Sequence, residues 1–232
     1  MMLALACVGF STLVAPAVRP QLVHQPLRKA GRHANVLARQ CIFAAESSVC
    51  SRAVPVGDDP SVLEAWFRSE EAAAVLFSIA DRYVKRDDGL FEVVSKVPFP
   101  GMVAESINVI QMQYEKRGNV PSLNSRTLDT RTECSSGPAW VRRLLIELLD
   151  SSKSTSVSSM YVELVDGRAT FVSDVQLKIE MTLPKWLLLP TAAMEKSGSE
   201  SLQKAIDQQL APLVDKFCDG FVQLAAAKVR VE

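Results

Sequence analysis

A strict alternation of apolar and polar residues follows the dipeptide Asp166-Gly167 and constrains the fold more than any other feature of the 232-residue chain. The odd positions from 171 to 183 read Phe, Ser, Val, Leu, Ile, Met, Leu, and the even positions from 170 to 182 read Thr, Val, Asp, Gln, Lys, Glu, Thr. A period of two predicts a strand with one buried face. Asp-Gly favours a type I′ turn, because both residues tolerate positive φ. The pattern therefore predicts a β-hairpin over residues 160–183.

A two-residue turn also determines which residues of the two strands lie opposite each other. The predicted pairs are Met160 with Ser173, Val162 with Phe171, and Leu164 with Ala169. In this register both strands present apolar residues on the same face. The second strand would extend roughly 43 Å at about 3.3 Å per residue, so we expect it to bend.

A second period, of three to four residues, runs through the C-terminal region and predicts a long helix. Its apolar stripe comprises Leu202, Ile206, Leu210, Leu213, Phe217, Phe221 and Leu224. Ser197 and Glu200 have the spacing of a capping box, which places the start of the helix there. Pro212 lies inside the stripe and is expected to kink the helix or divide it in two.

The remaining periodic segments complete an α+β chain. They are a strand at 62–67, a helix at 70–80 capped by Ser69, strands at 90–97, 106–115 and 123–134, and a helix with an apolar stripe at 140–149. The strand at 123–134 is rich in threonine, which favours an edge or a wet surface. We predict a curved antiparallel β-sheet packed on a long C-terminal helix.

The first 45 residues contain no Asp or Glu and hold both histidines of the chain. Residues 2–14 are nearly all apolar or small, and Ala15-Pro16-Ala17 has the form of a signal-peptidase site. We interpret residues 1–17 as signal-like, 18–45 as a transit segment, 46–61 as a linker and 62–230 as a single domain. A bipartite leader of this kind resembles that of algae whose plastid has extra membranes. We expect a plastid location, with cleavage between about residues 40 and 50; mitochondrial import or secretion are the alternatives.

The composition after the leader argues against several classes of chemistry. All 26 acidic residues follow the leader and five of the 26 basic ones precede Glu46, so the body carries a charge of about −5 and is a poor nucleic-acid binder. Without histidine, and with Cys50, Cys134 and Cys218 far apart, no zinc site is expected. Buried free thiols are expected, although one disulfide remains an alternative. No metal or cofactor is predicted, and the body has no apolar run long enough to span a membrane.

Three stretches of the body resemble a known family. They are residues 91–114, residues 125–136, and the segment Met181-Thr-Leu-Pro-Lys-Trp-Leu-Leu-Leu-Pro190 with Glu195-Lys-Ser-Gly198. Over about residues 62–228 the chain is similar to the plastid and cyanobacterial family called domain of unknown function 1997, related in shape to START-like and polyketide-cyclase helix-grip proteins. Members commonly carry a tryptophan late in the last helix, whereas none follows Asp219-Gly220-Phe221 here. The resemblance implies a helix-grip fold and a plastid setting, with no catalytic residues or cofactor.

A helix-grip sheet commonly encloses a cavity for an apolar small molecule. The candidate lining residues are Met112, Tyr114, Met160, Val162, Phe171, Ser173, Val175, Phe217 and Phe221. On sequence alone a solidly packed core without a cavity is the favoured interpretation of these residues. Ser173 is the one polar residue on its face, which indicates either a pocket or a bulge.

Three hypotheses about function follow from these patterns. The first is a non-catalytic domain that binds or carries a lipid or pigment. The second is a structural or assembly factor of a photosynthetic thylakoid complex, for which a candidate membrane or partner contact comprises Trp186, Leu187, Leu188 and Leu189. A plug in the core is the favoured interpretation of these four residues. The third is a cyclase- or isomerase-type enzyme, whose available acid and base groups are Glu105, Glu133, Tyr161 and Asp174 without a diagnostic spacing. Catalysis is the least favoured.

Overall fold

A computed structural model describes residues 39–56, 61–99, 102–134, 138–139, 142, 152–183 and 190–229. The strands are β1 (Arg39–Cys50), β2 (Val54–Pro55), β3 (Arg82–Lys85), β4 (Phe91–Phe99), β5 (Met102–Arg117), β6 (Val120–Cys134), β7 (Lys153–Val165) and β8 (Arg168–Leu183). The helices are α1 (Ser61–Arg68), α2 (Glu70–Leu76) and α3 (Thr191–Val229). The predicted helix at 140–149 and the apolar segment at 186–189 lie outside the described residues, apart from Arg142.

The eight strands form one antiparallel sheet in the order β1-β8-β7-β6-β5-β4-β3, with β2 beside β8. The sheet is curved, and the long helix α3 packs along it. The prediction of an α+β helix-grip architecture is therefore confirmed. None of the described helices is long and apolar enough to cross a membrane.

The β7–β8 hairpin has the predicted turn and register. Asp166 and Gly167 have φ angles of 49° and 72°, as a type I′ turn requires. All three predicted pairs are present in the ladder: Met160 with Ser173, Val162 with Phe171, and Leu164 with Ala169. The odd-numbered side chains from 171 to 181 are buried, and on the opposite face Val172 is buried as well.

Strand β1 extends the fold into the segment predicted as leader and linker. Its twelve residues pair with β8 from Arg39 opposite Leu183 to Cys50 opposite Val172. Residues 39–45 thus lie in the sheet, and the domain begins well before the predicted boundary at residue 62. The alternating core residues of β1 include the small Cys41 and Ala45, so the apolar pattern is weak in the sequence. Cleavage of the leader between residues 40 and 50 would cut this strand. We therefore expect the cleavage site to lie before Arg39.

The prediction of a strand at 62–67 is wrong. These residues form α1. Its buried side chains are two adjacent pairs four residues apart, which is one helical turn: Val62 and Leu63, then Trp66 and Phe67. A six-residue segment that is apolar except for Glu64 suits either structure, and burial on one helical face decided between them. Ser69 caps α2 as predicted, and its hydroxyl accepts a hydrogen bond from the Ala72 N–H at 3.0 Å.

Helix α3 begins earlier than its capping-box pattern predicts. The N–H groups of Ala193 and Met194 donate to the Pro190 carbonyl at 3.1 and 3.2 Å, so the helix starts at Thr191 and Ser197 lies inside it. It continues through Pro212 as one helix rather than two. The predicted stripe faces the core, with its members from residue 202 to 221 buried and Leu224 partly buried.

A row of polar side chains from α3 closes the free edge of β1. The N–H groups of Ile42, Ala44 and Glu46, which point away from β8, each donate to an α3 side chain. The acceptors are Glu195 Oε1 at 2.9 Å, Ser199 Oγ at 3.1 Å and Gln203 Oε1 at 3.1 Å, and Gln203 Nε2 donates back to the Glu46 carbonyl at 2.8 Å. We call these three side chains the edge ladder. They satisfy backbone groups that a neighbouring strand would otherwise bind.

Two glycines allow α3 to approach its neighbours closely. A Cβ at Gly198 would overlap the ring of Phe43, and one at Gly220 would overlap the indole of Trp66. Beneath the second contact, five aromatic rings pack together with centroids 5.2–6.1 Å apart, in pairs that include Trp66–Phe217, Phe67–Phe171 and Phe171–Phe221. Such rings supply a large buried area, so this end of the sheet is solidly packed.

Cys41 and Cys218 are buried free thiols, whereas Cys50 is exposed and Cys134 is half-buried. Buried thiols were therefore correctly expected at Cys218 but not at Cys50. Burial, together with the nearby Glu195 carboxylate, raises the pKa of Cys41 to about 11.

The two faces of β8 should respond differently to an added charge. Val175 is 2% exposed and Gln176 is exposed. We expect Val175→Asp to lower the free energy of unfolding by about 3–5 kcal/mol, because an unpaired charge is buried. Gln176→Asp should change it by about 0.5 kcal/mol or less. Chemical denaturation measures both, and equal losses would contradict the face assignment.

Cysteine reactivity should report whether β1 is part of the fold. At pH 8 the Cys41 thiol stays protonated because its pKa is raised, and it is shielded from reagents. We expect iodoacetamide to label Cys50 in the native protein and Cys41 only after unfolding, as mapped by peptide mass spectrometry. Equal labelling rates at the two positions would mean that β1 does not dock on β8.

Candidate functional site

A cavity of about 30 Å³ lies between the middle of the sheet and the helices α2 and α3. Its walls are formed by Leu76, Ile110, Leu123, Ser125, Thr127, Ser156, Ser158, Met160, Ser173, Val175 and Leu213. A void of this size holds about one water molecule. Ligand sites for small organic molecules usually measure about 300–1,000 Å³, so the void as it stands is too small for such a ligand.

The two kinds of wall differ in chemistry. Five hydroxyl side chains come from three adjacent strands: Ser125 and Thr127 from β6, Ser156 and Ser158 from β7, and Ser173 from β8. Ser125 and Ser158 lie opposite each other in the ladder, and their hydroxyl oxygens are 2.7 Å apart. We call these five residues the hydroxyl wall. The other six lining side chains are apolar, and two of them, Leu76 and Leu213, come from the helices.

The hydroxyl wall lies where β6 and β7 separate. Among the described residues their ladder runs only from Ser122–Arg126 to Val157–Tyr161. Thr127 and Ser156 are the next residues beyond the last pair, and both line the cavity. On its other side β6 is irregular, since its register with β5 shifts between Val109 and Ile110. The cavity therefore borders a fork in the sheet.

A second set of polar residues lies beyond the cavity, on the same face of the sheet. Ser95, Ser106 and Asn108 are 1–2% exposed, and they share a face with Ile110 by register. Thr130 Oγ1 donates to Asn108 Oδ1 at 2.9 Å, and Asn108 Nδ2 donates to Ser106 Oγ at 3.3 Å. The buried Ser95 hydroxyl has no hydrogen-bond partner among the described residues. We call these four residues the polar network.

The acid and base groups named from the sequence lie on the other face of the sheet. Glu105 and Glu133 are opposite each other in the β5–β6 ladder, one residue out of phase with the polar network. Asp174 accepts a hydrogen bond from the Ser48 hydroxyl at 2.6 Å. Burial, followed by the Asp174 carboxylate, raises the pKa of Tyr161. No ionisable side chain is among the described cavity-lining residues.

Metal binding finds no support in this part of the chain. Within the described ranges, no three Cys, Asp, Glu or His side chains come together in an arrangement that could hold an ion.

Three of the nine residues predicted to line a cavity do so: Met160, Ser173 and Val175. Val162, Phe171, Phe217 and Phe221 are fully buried in the core instead, the last three in the aromatic cluster. Met112 is partly buried beside the core, and the ring of Tyr114 lies under the Arg68 guanidinium at 4.1 Å. The cavity-lining residue that α3 supplies is Leu213, one turn before Phe217.

Of the hydroxyl wall, only Ser173 was predicted from the sequence. The signal was present in the threonine-rich strand at 123–134, which was interpreted as an edge or wet surface. It is an inner strand, paired with β5 and β7. Which of its hydroxyls face the cavity depends on the register shift between β5 and β6, and no local pattern shows that shift.

No protein-family model matches the sequence, and neither does any curated protein. The resemblance to the domain of unknown function 1997 family therefore stays a prediction.

Several solved structures are similar at low identity. The Mll3558 protein from Rhizobium loti is 12% identical, with 71% of this chain and 96% of that one covered and a TM-score of 0.33. Ginseng major latex-like protein 151 from Panax ginseng is 9% identical, with coverages of 72% and 97% and a TM-score of 0.30. Norcoclaurine synthase from Thalictrum flavum, in complex with dopamine and hydroxybenzaldehyde, is 13% identical, with coverages of 80% and 98% and a TM-score of 0.27. Similarities of this size carry no inference about what this chain binds.

The Ser125–Ser158 contact should show energetic coupling. Removing one hydroxyl leaves the other without its partner, so Ser125→Ala and Ser158→Ala should each lower the free energy of unfolding by about 1 kcal/mol. Removing both should cost less than the sum, by about 0.5 kcal/mol or more. Urea denaturation of the two single variants and the double variant measures the coupling. Strictly additive losses would show that the two hydroxyls do not interact.

Proposed function

We propose that the protein binds an apolar small molecule that carries a polar group, such as a lipid or pigment, between the sheet and α3, without transforming it. The observation that carries this proposal is the five-residue hydroxyl wall facing six apolar side chains in one cavity. Ser156 and Ser173 are buried, and the other three hydroxyl residues are half-buried. Removing hydroxyl groups from water costs free energy, so a purely structural core would favour apolar residues at these positions. A ligand with an apolar body and a polar end matches both walls.

Binding requires the cavity to enlarge from about 30 Å³. The fork between β6 and β7 and the helix side chains Leu76 and Leu213 form the parts of the wall that can separate. Leu213 directly follows Pro212, whose missing N–H removes one hydrogen bond from the helix where it borders the cavity. Because this hydrogen bond is missing, we expect α3 to move more easily beside the cavity than beside the aromatic cluster.

The ligand-binding proposal can be tested with prodan, an uncharged naphthalene ketone whose emission shifts to shorter wavelength in apolar sites. We expect saturable binding to the full chain. Ser173→Val should weaken binding about tenfold or more while the melting temperature changes little, because the added methyl groups fill the void. In a solid core the same change would cost about 1–3 kcal/mol. Prodan fluorescence titration and thermal denaturation give the two readouts.

Thr155→Val provides the matched control for this experiment, since Thr155 is exposed on the opposite face of β7. It should leave prodan binding unchanged. The proposal would be rejected if the wild-type chain showed no saturable binding and Ser173→Val lost stability. That result would favour the alternative, a structural or assembly role, which the small size of the closed cavity also suits.

We further propose that the protein works in a plastid. This rests on the acid-free, arginine-bearing leader, and the thylakoid surface remains the partner proposed for the structural alternative. N-terminal sequencing of the protein isolated from plastids should find a start before Arg39, since β1 is needed to complete the sheet. A protein recovered only from mitochondria or the medium would contradict the location.

A further inference from the structure

The polar network extends the site beyond the cavity. Ile110 and Thr127 line the cavity, and the next residues on the same face of their strands are Asn108 and Thr130. From there the hydrogen bonds continue to Ser106, and Ser95 lies opposite Ser106 in the β4–β5 ladder. Polar side chains therefore lie on the cavity-facing side of five neighbouring strands, from β4 to β8, among apolar ones such as Val93 and Ile110.

Every side chain of this polar surface is uncharged. The hydroxyl wall and the polar network consist of serine, threonine and asparagine. Charged residues do occur in the same strands, but Lys96, Glu105 and Arg131 are one position out of phase and lie on the opposite face. Arg131 pairs there with Glu92 and Glu133, each at 3.7 Å.

The absence of charge on the described part of this surface has a consequence for selectivity. A carboxylate or phosphate that moved against this polar surface would lose its hydration without meeting a charged side chain among the residues that form the surface, which is strongly unfavourable. A hydroxyl, ketone or ester group can instead be satisfied by hydroxyl and amide partners. The buried Ser95 hydroxyl, without a partner among the described residues, supplies one such group.

We propose that the site selects uncharged amphipathic ligands that carry at least two hydrogen-bonding oxygen atoms, as monoacylglycerols and hydroxylated terpenoids do. One oxygen would bind at the hydroxyl wall and a second at the polar network, with the apolar body against Met160, Val175 and Leu213. This inference rests on the proposed ligand-binding function and adds the chemical class of the ligand.

A matched pair of lipids tests the class. 1-Oleoylglycerol and oleate share one acyl chain and differ in the head group, which is a neutral diol ester in the first and a carboxylate in the second. We expect 1-oleoylglycerol to displace prodan from the full chain at pH 8 at a concentration at least tenfold below that of oleate. Equal or tighter binding of oleate would contradict the proposed selection of uncharged ligands but would leave the proposed ligand-binding function intact. If neither lipid nor prodan binds, the proposed function itself fails.

Thr130→Val tests the role of the polar network with a nearly isosteric change. The variant removes the hydroxyl that donates to Asn108, so the preference for 1-oleoylglycerol over oleate should fall at least threefold. Native mass spectrometry of the loaded protein gives an independent reading of the same preference. Thr155→Val, on the outer face, should keep the wild-type preference.

If Thr130→Val unfolds, Ser95→Ala serves instead, since it removes a hydroxyl with no described protein partner. If a folded variant kept the wild-type preference for 1-oleoylglycerol over oleate, the polar network would not be the source of the selectivity.

Discussion

The contact on which the architecture depends is the edge ladder between α3 and β1. The free N–H groups of a strand recur every second residue, about 6.7 Å apart, and four residues of a helix rise about 6 Å. Glu195, Ser199 and Gln203 are spaced by four, so a helix lying along the strand can place an acceptor at each free donor. The small mismatch is taken up by side chains of different length. The edge ladder satisfies the free backbone N–H groups of β1, which could otherwise pair with a strand of another chain.

The position of α3 along β1 also decides how the rest of the interior is filled. With Gly198 against Phe43 and Gly220 against Trp66, the helix lies close enough for its apolar stripe to reach Phe171 and the other rings. That half of the concave face is solid. The other half carries Ser, Thr and Asn side chains and borders the fork between β6 and β7. The domain thus joins a rigid half, which holds the helix in place, to a polar half next to a cavity.

Much of the fold was predictable because its strongest signals are local. The Asp166-Gly167 turn, the alternation in β8, the Ser69 cap and the stripe of α3 each follow from side-chain chemistry within a few residues. The errors arose where the local pattern fits two structures. A short apolar run before Ser69 suits a strand or a helix, and the core residues of β1 are partly small. The candidate site was predictable only at Met160, Ser173 and Val175, since these belong to the hairpin whose register the turn determines.

The sequence by itself determined the antiparallel sheet with a terminal helix, the buried face of β8 and the shortage of acid–base chemistry, because periodicity, turn residues and composition are properties of neighbouring positions. Only the tertiary structure decided that β1 belongs to the sheet, that α3 starts at Thr191 and closes its edge, and that hydroxyls from β6, β7 and β8 meet in one cavity. β1 pairs with residues of β8 more than a hundred positions away, and the meeting of the hydroxyls depends on pairing between separate strands and on the register shift between β5 and β6. A strand pairs through backbone groups that are the same at every residue, so its partner is chosen by burial in the assembled fold.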